Sequence, residues 1–376
     1  MYDNIIMTKK LTILIPTMNR SIFLIRQLRY YSEMGFQGCI CIGDSSNKEQ
    51  LSYTKKALEN LNKELHIIHK EFPELNEFMC TQQLVKLVNT PYVVWVADDD
   101  FLVPSGLNMC VDFLENNKEF SAAQGMAVRI KTKDSIAYGD IIECTKKRLP
   151  VACAKTASKR YLSLMLHYAD VHFTVHRIDT RSLMYKFVNL IPDKSFSSTL
   201  LPSCLSVING KTKELKCLSL VRQINDNRYF SVEQGDTYLW ITNPQWLSFL
   251  KIFNEIISKE LTRVDGIGSA KANEIAKQGI AMFIARRMKS ESTMFYSKHS
   301  ILNSESRLSY FNSLKKLKSV INGMPLTRLL IGKFYSLIFQ SSEKQYDMSL
   351  KSLLKPSSPY HKDFMPIYRA ITEENE

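Results

Sequence analysis

Three consecutive carboxylates, Asp98, Asp99 and Asp100, interrupt an otherwise apolar stretch of the chain. They follow YVVWVA at residues 92–97, which has the length and composition of a buried strand. Carboxylates this close repel one another and raise each other's pKa unless a cation offsets the charge. Mg²⁺ and Mn²⁺ bind such oxygens and usually share them with substrate phosphates. The triplet therefore indicates a divalent cation and a phosphorylated ligand; the alternative is an acidic cap on a helix that begins near Ser105.

The 376-residue chain has the composition of a globular protein and a strong positive charge. Apolar residues make up 45% of it and charged residues 23%, which argues against a disordered chain. The net charge of +13 favours an anionic partner: a phosphorylated small molecule, a nucleic acid or an acidic membrane surface. No apolar run approaches the roughly 18–20 residues that span a bilayer, and the N-terminus lacks the pattern of a signal peptide. We therefore expect a cytoplasmic protein.

The first hundred residues alternate between short apolar segments and longer amphipathic ones. This alternation predicts an α/β fold with a mostly parallel, Rossmann-like sheet flanked by helices. In such sheets, ligands bind beyond the carboxyl ends of the strands. Four strands are predicted, at residues 11–16, 39–43, 66–69 and 92–97, and polar residues follow each of them: Thr17, Asp44, Glu71 and the acidic triplet. These side chains are expected to share one edge of the sheet and to form one site.

Asp44 has a second interpretation. It precedes two serines and a predicted helix over about residues 48–62, which is a common setting for a helix N-cap. The pattern alone does not decide between a site residue and a cap.

Several segments together resemble the GT-A glycosyltransferases of family 2, and more narrowly a bacterial branch assigned to surface polysaccharide synthesis. The matching segments are LTILIPTMNR, IGDSS, TPYVVWVADDDFLVPSGL, SAAQG, FTVHR, LLPSCLSVINGK and LSLVRQ, within about residues 9–225. The resemblance implies a GT-A-type fold and transfer of a sugar from a nucleotide-sugar donor to a saccharide or lipid-linked saccharide acceptor. It also implies a divalent cation, Mn²⁺ or Mg²⁺, as cofactor.

The resemblance further implies roles for the polar residues of the first half. The acidic triplet would be the family's DxD motif, with Asp98 near the ribose, Asp100 on the metal and Asp99 between them. Thr17 and Asp44 fall where the family holds the nucleotide base.

Basic residues are the second group of candidates, because positive side chains aimed at the departing phosphate stabilise its developing charge. The candidates are His176, Arg177 and Arg222, in the matched second half, and His176 and Arg222 are assigned to the nucleotide sugar. Arg20, at the end of the first matching segment, is also assigned to the nucleotide sugar. For His176 the alternative is a solvated strand face, since it alternates with Thr174 at a period of two residues.

The chain departs from the family at two places. Met18 stands where the family often has an aromatic residue. Inverting members usually place a catalytic acid in the second half, whereas the matching stretch at residues 191–203 offers serine and threonine. Asp193 is the only carboxylate of that stretch and is the candidate catalytic base; the alternative is a loop or N-cap residue.

Beyond residue 235 the chain reads as continuous helices. This change predicts a glycosyltransferase domain at residues 1–235 and a mainly helical C-terminal region at residues 236–376. The segment at residues 314–339 is basic and amphipathic, so it either lies on an anionic membrane or packs on its own domain. Attachment to the inner face of the cell membrane would suit a lipid-linked acceptor.

Two other functions stay open. A nucleotidyltransferase would use the same sheet and the same metal-binding carboxylates. The segment VDGIGSAKANEIA at residues 264–276 resembles a helix-hairpin-helix element that holds DNA phosphates, although GxG after a helix is also a common C-cap. The resemblance to a glycosyltransferase leads us to expect no nucleic-acid partner.

Overall fold

One nine-stranded sheet organises the computed structural model, which describes residues 9–134, 136–225, 237–298 and 348–373. The strands are β1 (Leu11–Thr17), β2 (Cys39–Asp44), β3 (His66–Glu71), β4 (Tyr92–Trp95), β5 (Phe101–Leu102), β6 (Phe120–Thr132), β7 (Ile141–Lys147), β8 (Val175–Arg177) and β9 (Lys211–Ile224). The helices of the first half are α1 (Ser21–Glu33), α2 (Lys48–Leu61), α3 (Glu77–Val85) and α4 (Pro104–Asn116). Those of the second half are α5 (Ala157–Leu166), α6 (Ile178–Tyr185), a π-helical turn (Ser195–Leu200) and α7 (Leu201–Ile208).

The sheet is mixed, with the order β3-β2-β1-β4-β8-β6-β9-β5 and with β7 beside β6. Strands β1 to β4 pair in parallel, as do β6 and β9. The short strand β8 lies between β4 and β6 and runs antiparallel to both. Strand β5 pairs antiparallel with β9, and β7 pairs antiparallel with β6. The predicted α/β class is therefore confirmed, and the parallel arrangement is confined to the first half and to one later pair.

The four strands predicted for the first half are present at the expected positions. Strands β1, β2 and β4 are buried along their whole length. Parallel strands that helices cover on both faces have no solvated side, so they appear as continuous apolar runs instead of alternating ones.

Neither Asp44 nor the acidic triplet caps the helix that follows it. Asn47 caps α2 by accepting a hydrogen bond from the Gln50 amide, so Asp44 is not its cap. Helix α4 begins at Pro104 after Val103 and has no side-chain cap, which suits a proline at the first helical position. The interpretation of the acidic triplet as a cap for this helix is therefore wrong.

The C-terminal helices are α8 (Thr237–Ile241), α9 (Trp246–Asp265), α10 (Ser269–Lys298), α11 (Leu350–Leu353) and α12 (His361–Thr372). The described residues up to Arg286 and from Met348 onwards belong to one compact unit. Helix α9 packs on α5 and α7, and α12 packs on α1 and β9. This unit thus continues past the predicted boundary at residue 235. Independent folding of residues 1–235 stays a prediction from the sequence, and the packing of α9 argues against it. The basic segment at residues 314–339 lies outside the described residues.

The Gly-Ile-Gly segment between α9 and α10 has a structural role. Gly266 has a φ of 66°, and its amide donates to the carbonyl of Thr262, which ends α9. The carboxylate of Asp265 accepts hydrogen bonds from the amides of Ala157 and Ser158, at 2.7 and 2.8 Å, and so caps α5. Within the described residues, no helix has both the length and the apolar character needed to cross a membrane.

Candidate functional site

A cavity of about 460 Å³ lies at the carboxyl edge of the parallel strands. This volume falls within the roughly 300–1,000 Å³ typical of ligand pockets. The first half of the chain lines the cavity with residues at or after the ends of β1, β2 and β4 and at the start of α3. They include Thr17, Met18, Arg20, Ser45, Glu77, Trp95, Asp98 and Asp99. The second half contributes Tyr168, Asp170, His172, Phe173, Thr199, Arg222 and Gln223. The cavity therefore lies at the edge that the rule for parallel sheets predicts, although Asp44 and Glu71 are not among the described residues that line it.

Asp98 and Asp99 line the cavity and are held by residues from other parts of the chain. The hydroxyl of Thr17 donates to Asp98 Oδ2 at 2.7 Å. Arg20 lies with Nε 3.3 Å from Asp98 Oδ1 and donates from Nη2 to Asp99 Oδ2 at 2.7 Å. The side-chain amide of Asn225 also donates to Asp99 Oδ2, at 2.7 Å. Four of the predicted nucleotide-sugar residues, Thr17, Arg20, Asp98 and Asp99, therefore form one connected group.

Asp100 is buried, with 1% of its surface exposed, and contacts the end of β9. Its Oδ1 accepts a hydrogen bond from the Gln223 amide at 2.9 Å, and its Oδ2 lies 3.5 Å from Arg222 Nε. The antiparallel register of β5 and β9, in which Phe101 faces Val221, brings Arg222 to this position. Asp98 and Asp99 are among the described residues that line the cavity, and Asp100 is not.

At Asp98, burial outweighs the stabilisation that the neighbouring arginines give to the carboxylate. Burial raises the pKa of Asp98 to about 7, and Asp99 adds to this, although Arg20 and the Thr17 hydrogen bond favour the ionised form. A further cation near Asp98 would therefore stabilise its ionised form.

The donor set of the triplet fits a hard divalent cation. Carboxylate oxygens are the ligands that Mg²⁺ and Mn²⁺ prefer. Within the described part of the chain, no three His, Cys, Asp or Glu side chains are already arranged as a metal site. The oxygens of Asp100 already contact Gln223 and Arg222. The residues therefore fit a cation that binds together with a diphosphate, whose oxygens complete its coordination shell.

Asp44 is almost fully buried beside the cavity-lining Ser45. Its Oδ1 accepts from the Ser46 amide at 2.9 Å, and its Oδ2 lies 3.3 Å from His69 Nε2. Burial alone would raise the pKa of Asp44, but the hydrogen bonds with His69 and Ser46 lower it below its ordinary value. The side chain is thus ionised and fixes the turn that follows β2.

His176 and Asp193 are not among the described residues that line the cavity. His176 is fully buried, its Nε2 lies 2.8 Å from Ser206 Oγ, and burial lowers its pKa well below the ordinary value. The alternative of a solvated strand face is therefore wrong. Asp193 Oδ1 accepts from the Phe196 amide at 2.9 Å, and Trp240 Nε1 lies 3.1 Å from its Oδ2. The nucleotide-sugar role of His176 and the catalytic role of Asp193 stay predictions.

Two carboxylates that the sequence interpretation missed line the cavity. Glu77 begins α3, and burial raises its pKa to about 8, although Arg222 opposes this rise. Asp170 precedes β8; burial would raise its pKa, but Lys147 and Arg222 lower it to about 2. Glu77 follows β3 at the carboxyl edge, so the edge rule could have identified it. Asp170 lies on an irregular segment without any such signal.

Comparisons with known proteins give structural similarities at low sequence identity. Neither a family model nor a curated protein matches the chain. The crystal structure of S. aureus TarS 1–349 in complex with UDP-GlcNAc is 15% identical, covers 96% of this chain and 90% of that chain, and has a TM-score of 0.49. The mannosyltransferase PcManGT from Pyrobaculum calidifontis, in complex with GDP-Man and Mn²⁺, is 11% identical in sequence. The match covers 88% of this chain and 85% of that chain, with a TM-score of 0.42. Similarities this weak do not assign a function.

Proposed function

We propose that this chain is a GT-A-type glycosyltransferase of surface polysaccharide synthesis. It would move a sugar from a nucleotide-sugar donor to a saccharide or lipid-linked saccharide acceptor, with a divalent cation as cofactor. The observation that carries the proposal is one cavity that combines Asp98 and Asp99 with Arg20 and Arg222. Carboxylates accept hydrogen bonds from hydroxyl groups, and guanidinium groups match phosphate oxygens. A nucleotide sugar presents both kinds of group within one molecule.

The first-half side of the cavity suits the nucleoside. Thr17, Met18 and Ser45 surround the ends of β1 and β2, where ligands of parallel sheets bind. Met18 is 43% exposed, so its thioether can contact the face of a base where the family often has an aromatic residue. Asp98 lies beside Thr17 and can accept a hydrogen bond from a ribose hydroxyl.

Arg222 is the side chain of the cavity best suited to bind the diphosphate. This guanidinium lines the cavity and lies 4.9 Å from the centre of the Phe173 ring, which limits its freedom. It can donate to the departing diphosphate and stabilise the charge that develops there. A bound divalent cation would supply Lewis-acid stabilisation of the same charge.

The second-half side of the cavity suits a sugar and its acceptor. Tyr168 and Phe173 offer flat apolar surfaces, while Thr199 and Asp170 offer polar groups that can bind hydroxyls. A nucleotidyltransferase would use the same carboxylates, and the chemistry of the product distinguishes the two reactions. The helix-hairpin-helix alternative also stays open, although its glycine turn already serves as the cap of α9.

A thermal-shift panel of UDP-, GDP-, CMP- and dTDP-sugars with Mn²⁺ tests donor binding. We expect one donor to raise the melting temperature, since a ligand at about 100 times its Kd adds about 2.7 kcal/mol to the stability of the folded state. Asp98→Asn should lose this shift, whereas the matched change Asp112→Asn, on the exposed side of α4, should keep it. A panel without any shift, or an undiminished shift in Asp98→Asn, would contradict the proposed site.

A further inference from the structure

Among the described residues that line the cavity, no carboxylate comes from residues 191–203, where the resemblance places a catalytic acid. Thr199, in the π-helical turn, is a residue of this stretch on the cavity wall. Asp193 belongs to the same stretch, but its oxygens contact the Phe196 amide and the Trp240 indole. A carboxylate of the cavity wall that activates the acceptor would therefore come from another element.

Four carboxylates line the cavity within the described residues: Glu77, Asp98, Asp99 and Asp170. Asp98 and Asp99 both contact Arg20. Glu77 belongs to α3 on the first-half side. Among the described residues that line the cavity from the second half, Asp170 is the only carboxylate, and it accompanies Tyr168, Phe173 and Thr199.

We propose that Asp170 is the catalytic base of the transfer, a role that rests on the proposed function. Its carboxylate accepts the proton of the acceptor hydroxyl as the hydroxyl oxygen bonds to the anomeric carbon of the sugar. The bond between that carbon and the diphosphate oxygen breaks, and its electron pair leaves with the nucleoside diphosphate. Attack and departure on opposite faces of the sugar invert the anomeric centre.

Lys147 holds Asp170 in place. Its ammonium lies 3.7 Å from Asp170 Oδ2 and 4.8 Å from the centre of the Phe173 ring, and its side chain is only 2% exposed. Lys147 ends β7, whose pairing with β6 fixes the backbone at this point. Lys147 is therefore a positioning residue.

The cations around Asp170 link its basicity to the donor. Burial alone would raise the pKa of Asp170, but Lys147 and Arg222 lower it to about 2, so the side chain is ionised at neutral pH. A diphosphate at Arg222 offsets one of these two positive charges. The pKa of Asp170 then rises, and the carboxylate becomes a better proton acceptor once the donor is bound. The other titratable groups facing Asp170 are His172, Tyr168 and Glu77.

Donor hydrolysis by the full chain tests the role of Asp170, because water then replaces the acceptor hydroxyl. The probe is the nucleotide sugar selected by the thermal-shift panel. We expect Asp170→Asn still to bind it, at least as tightly as the wild type because Arg222 loses a competing carboxylate, and to lower kcat by about 10²- to 10⁴-fold, the usual contribution of a general base. Asp179→Asn, an exposed carboxylate at the start of α6, is the matched control and should keep wild-type kcat.

Chemical rescue separates a base from a structural role. Sodium formate should restore part of the kcat of Asp170→Ala, because it supplies a carboxylate in the vacated space. Wild-type kcat in Asp170→Asn, or an Asp170→Ala variant that binds donor and ignores formate, would overturn the assignment while donor binding still supports the proposed function. Failure of the wild-type protein to bind any donor would overturn both.

Discussion

At the residue scale, the charge of the acidic triplet is offset by arginines from distant parts of the chain. Arg20 contacts Asp98 and Asp99, Arg222 lies beside Asp100, and the buried Arg26 donates to the backbone carbonyl of Asp99 at 3.2 Å. Buried carboxylates are costly without such partners. The fold therefore supplies the basic neighbours that the local sequence lacks.

Asp100→Asn is expected to remove the effect of Mn²⁺ on donor binding. Asparagine keeps an oxygen that can accept from the Gln223 amide, so the fold should survive, but the charge beside Arg222 is lost. Changes around metal ligands cost about 10- to 100-fold in metal affinity, and loss of a ligand should cost at least as much. Titration calorimetry of the donor with Mn²⁺ and with EDTA measures this. A variant whose donor affinity responds to Mn²⁺ as the wild type does would show that Asp100 is not a ligand.

Glu77→Gln is expected to change how stability depends on pH. The pKa of Glu77 is raised from 4.5 to about 8 in the folded protein, so the folded state binds more protons than the unfolded state between these values. Its contribution is present below about pH 4.5 and is lost as pH rises through 8. The melting temperature of Glu77→Gln, relative to wild type, should therefore rise between pH 5 and pH 8.

The exposed Glu59, on α2, provides the control for this change. Glu59→Gln should shift the melting temperature by a similar amount at each pH. If Glu77→Gln behaves in the same way, Glu77 does not titrate in the folded protein as its burial indicates.

At the element scale, the sequence predicted the strands that a run of neighbouring residues determines, and it did not predict contacts between residues far apart in the chain. Strands β1, β2 and β4 were predictable because each contains a continuous apolar run, and the carboxyl edge that β1 and β4 share brings Thr17 to Asp98. The resemblance pointed to Arg222, and the register of β5 and β9 places it beside Asp100. The burial of His176 and the contacts of Asp193 depend on residues far away in sequence, so no local pattern reveals them. Asp170 was missed for the same reason.

Gly106→Ala is expected to destabilise the packing of α4 on β9, the strand that carries Arg222. A Cβ at Gly106 would lie 2.2 Å from the Leu218 carbonyl oxygen, so the backbone of one element must shift. Overpacking of this kind costs about 1–3 kcal/mol. Gly268→Ala, where a Cβ would have no atom within 4 Å, is the control. Urea titrations of both variants give the free energies of unfolding, and equal values would show that α4 has room to move.

At the scale of the whole molecule, the C-terminal helices complete the core of the compact unit. Phe253, Ile257 and Leu261 of α9 are fully buried, as are three apolar residues of α12. Ser105 at the start of α4 donates to Asp363 Oδ1 of α12 at 2.7 Å. The basic segment at residues 314–339 lies outside the described residues, so its attachment to the inner face of a membrane stays a prediction, as does a cytoplasmic location.

Truncation after residue 235 should therefore give an insoluble or protease-sensitive chain. Removing α9 exposes the apolar surface of α5 and α7, and each large side chain that leaves the core takes away about 1.5–3 kcal/mol of burial. Limited proteolysis and thermal unfolding of the truncated and full chains measure the effect. A soluble, cooperatively unfolding fragment would instead establish residues 1–235 as a domain, as the sequence predicts.

The identity of the reaction product tests the central claim most directly. The full chain is incubated with Mn²⁺ and the nucleotide sugar that shifts its melting temperature, and the released nucleotide and phosphates are separated by chromatography. Sugar transfer, to an acceptor or to water, predicts release of the nucleoside diphosphate (or of the monophosphate from a CMP-sugar), and this release should disappear in Asp98→Asn. Release of pyrophosphate, or no turnover of any bound donor, would contradict a glycosyltransferase.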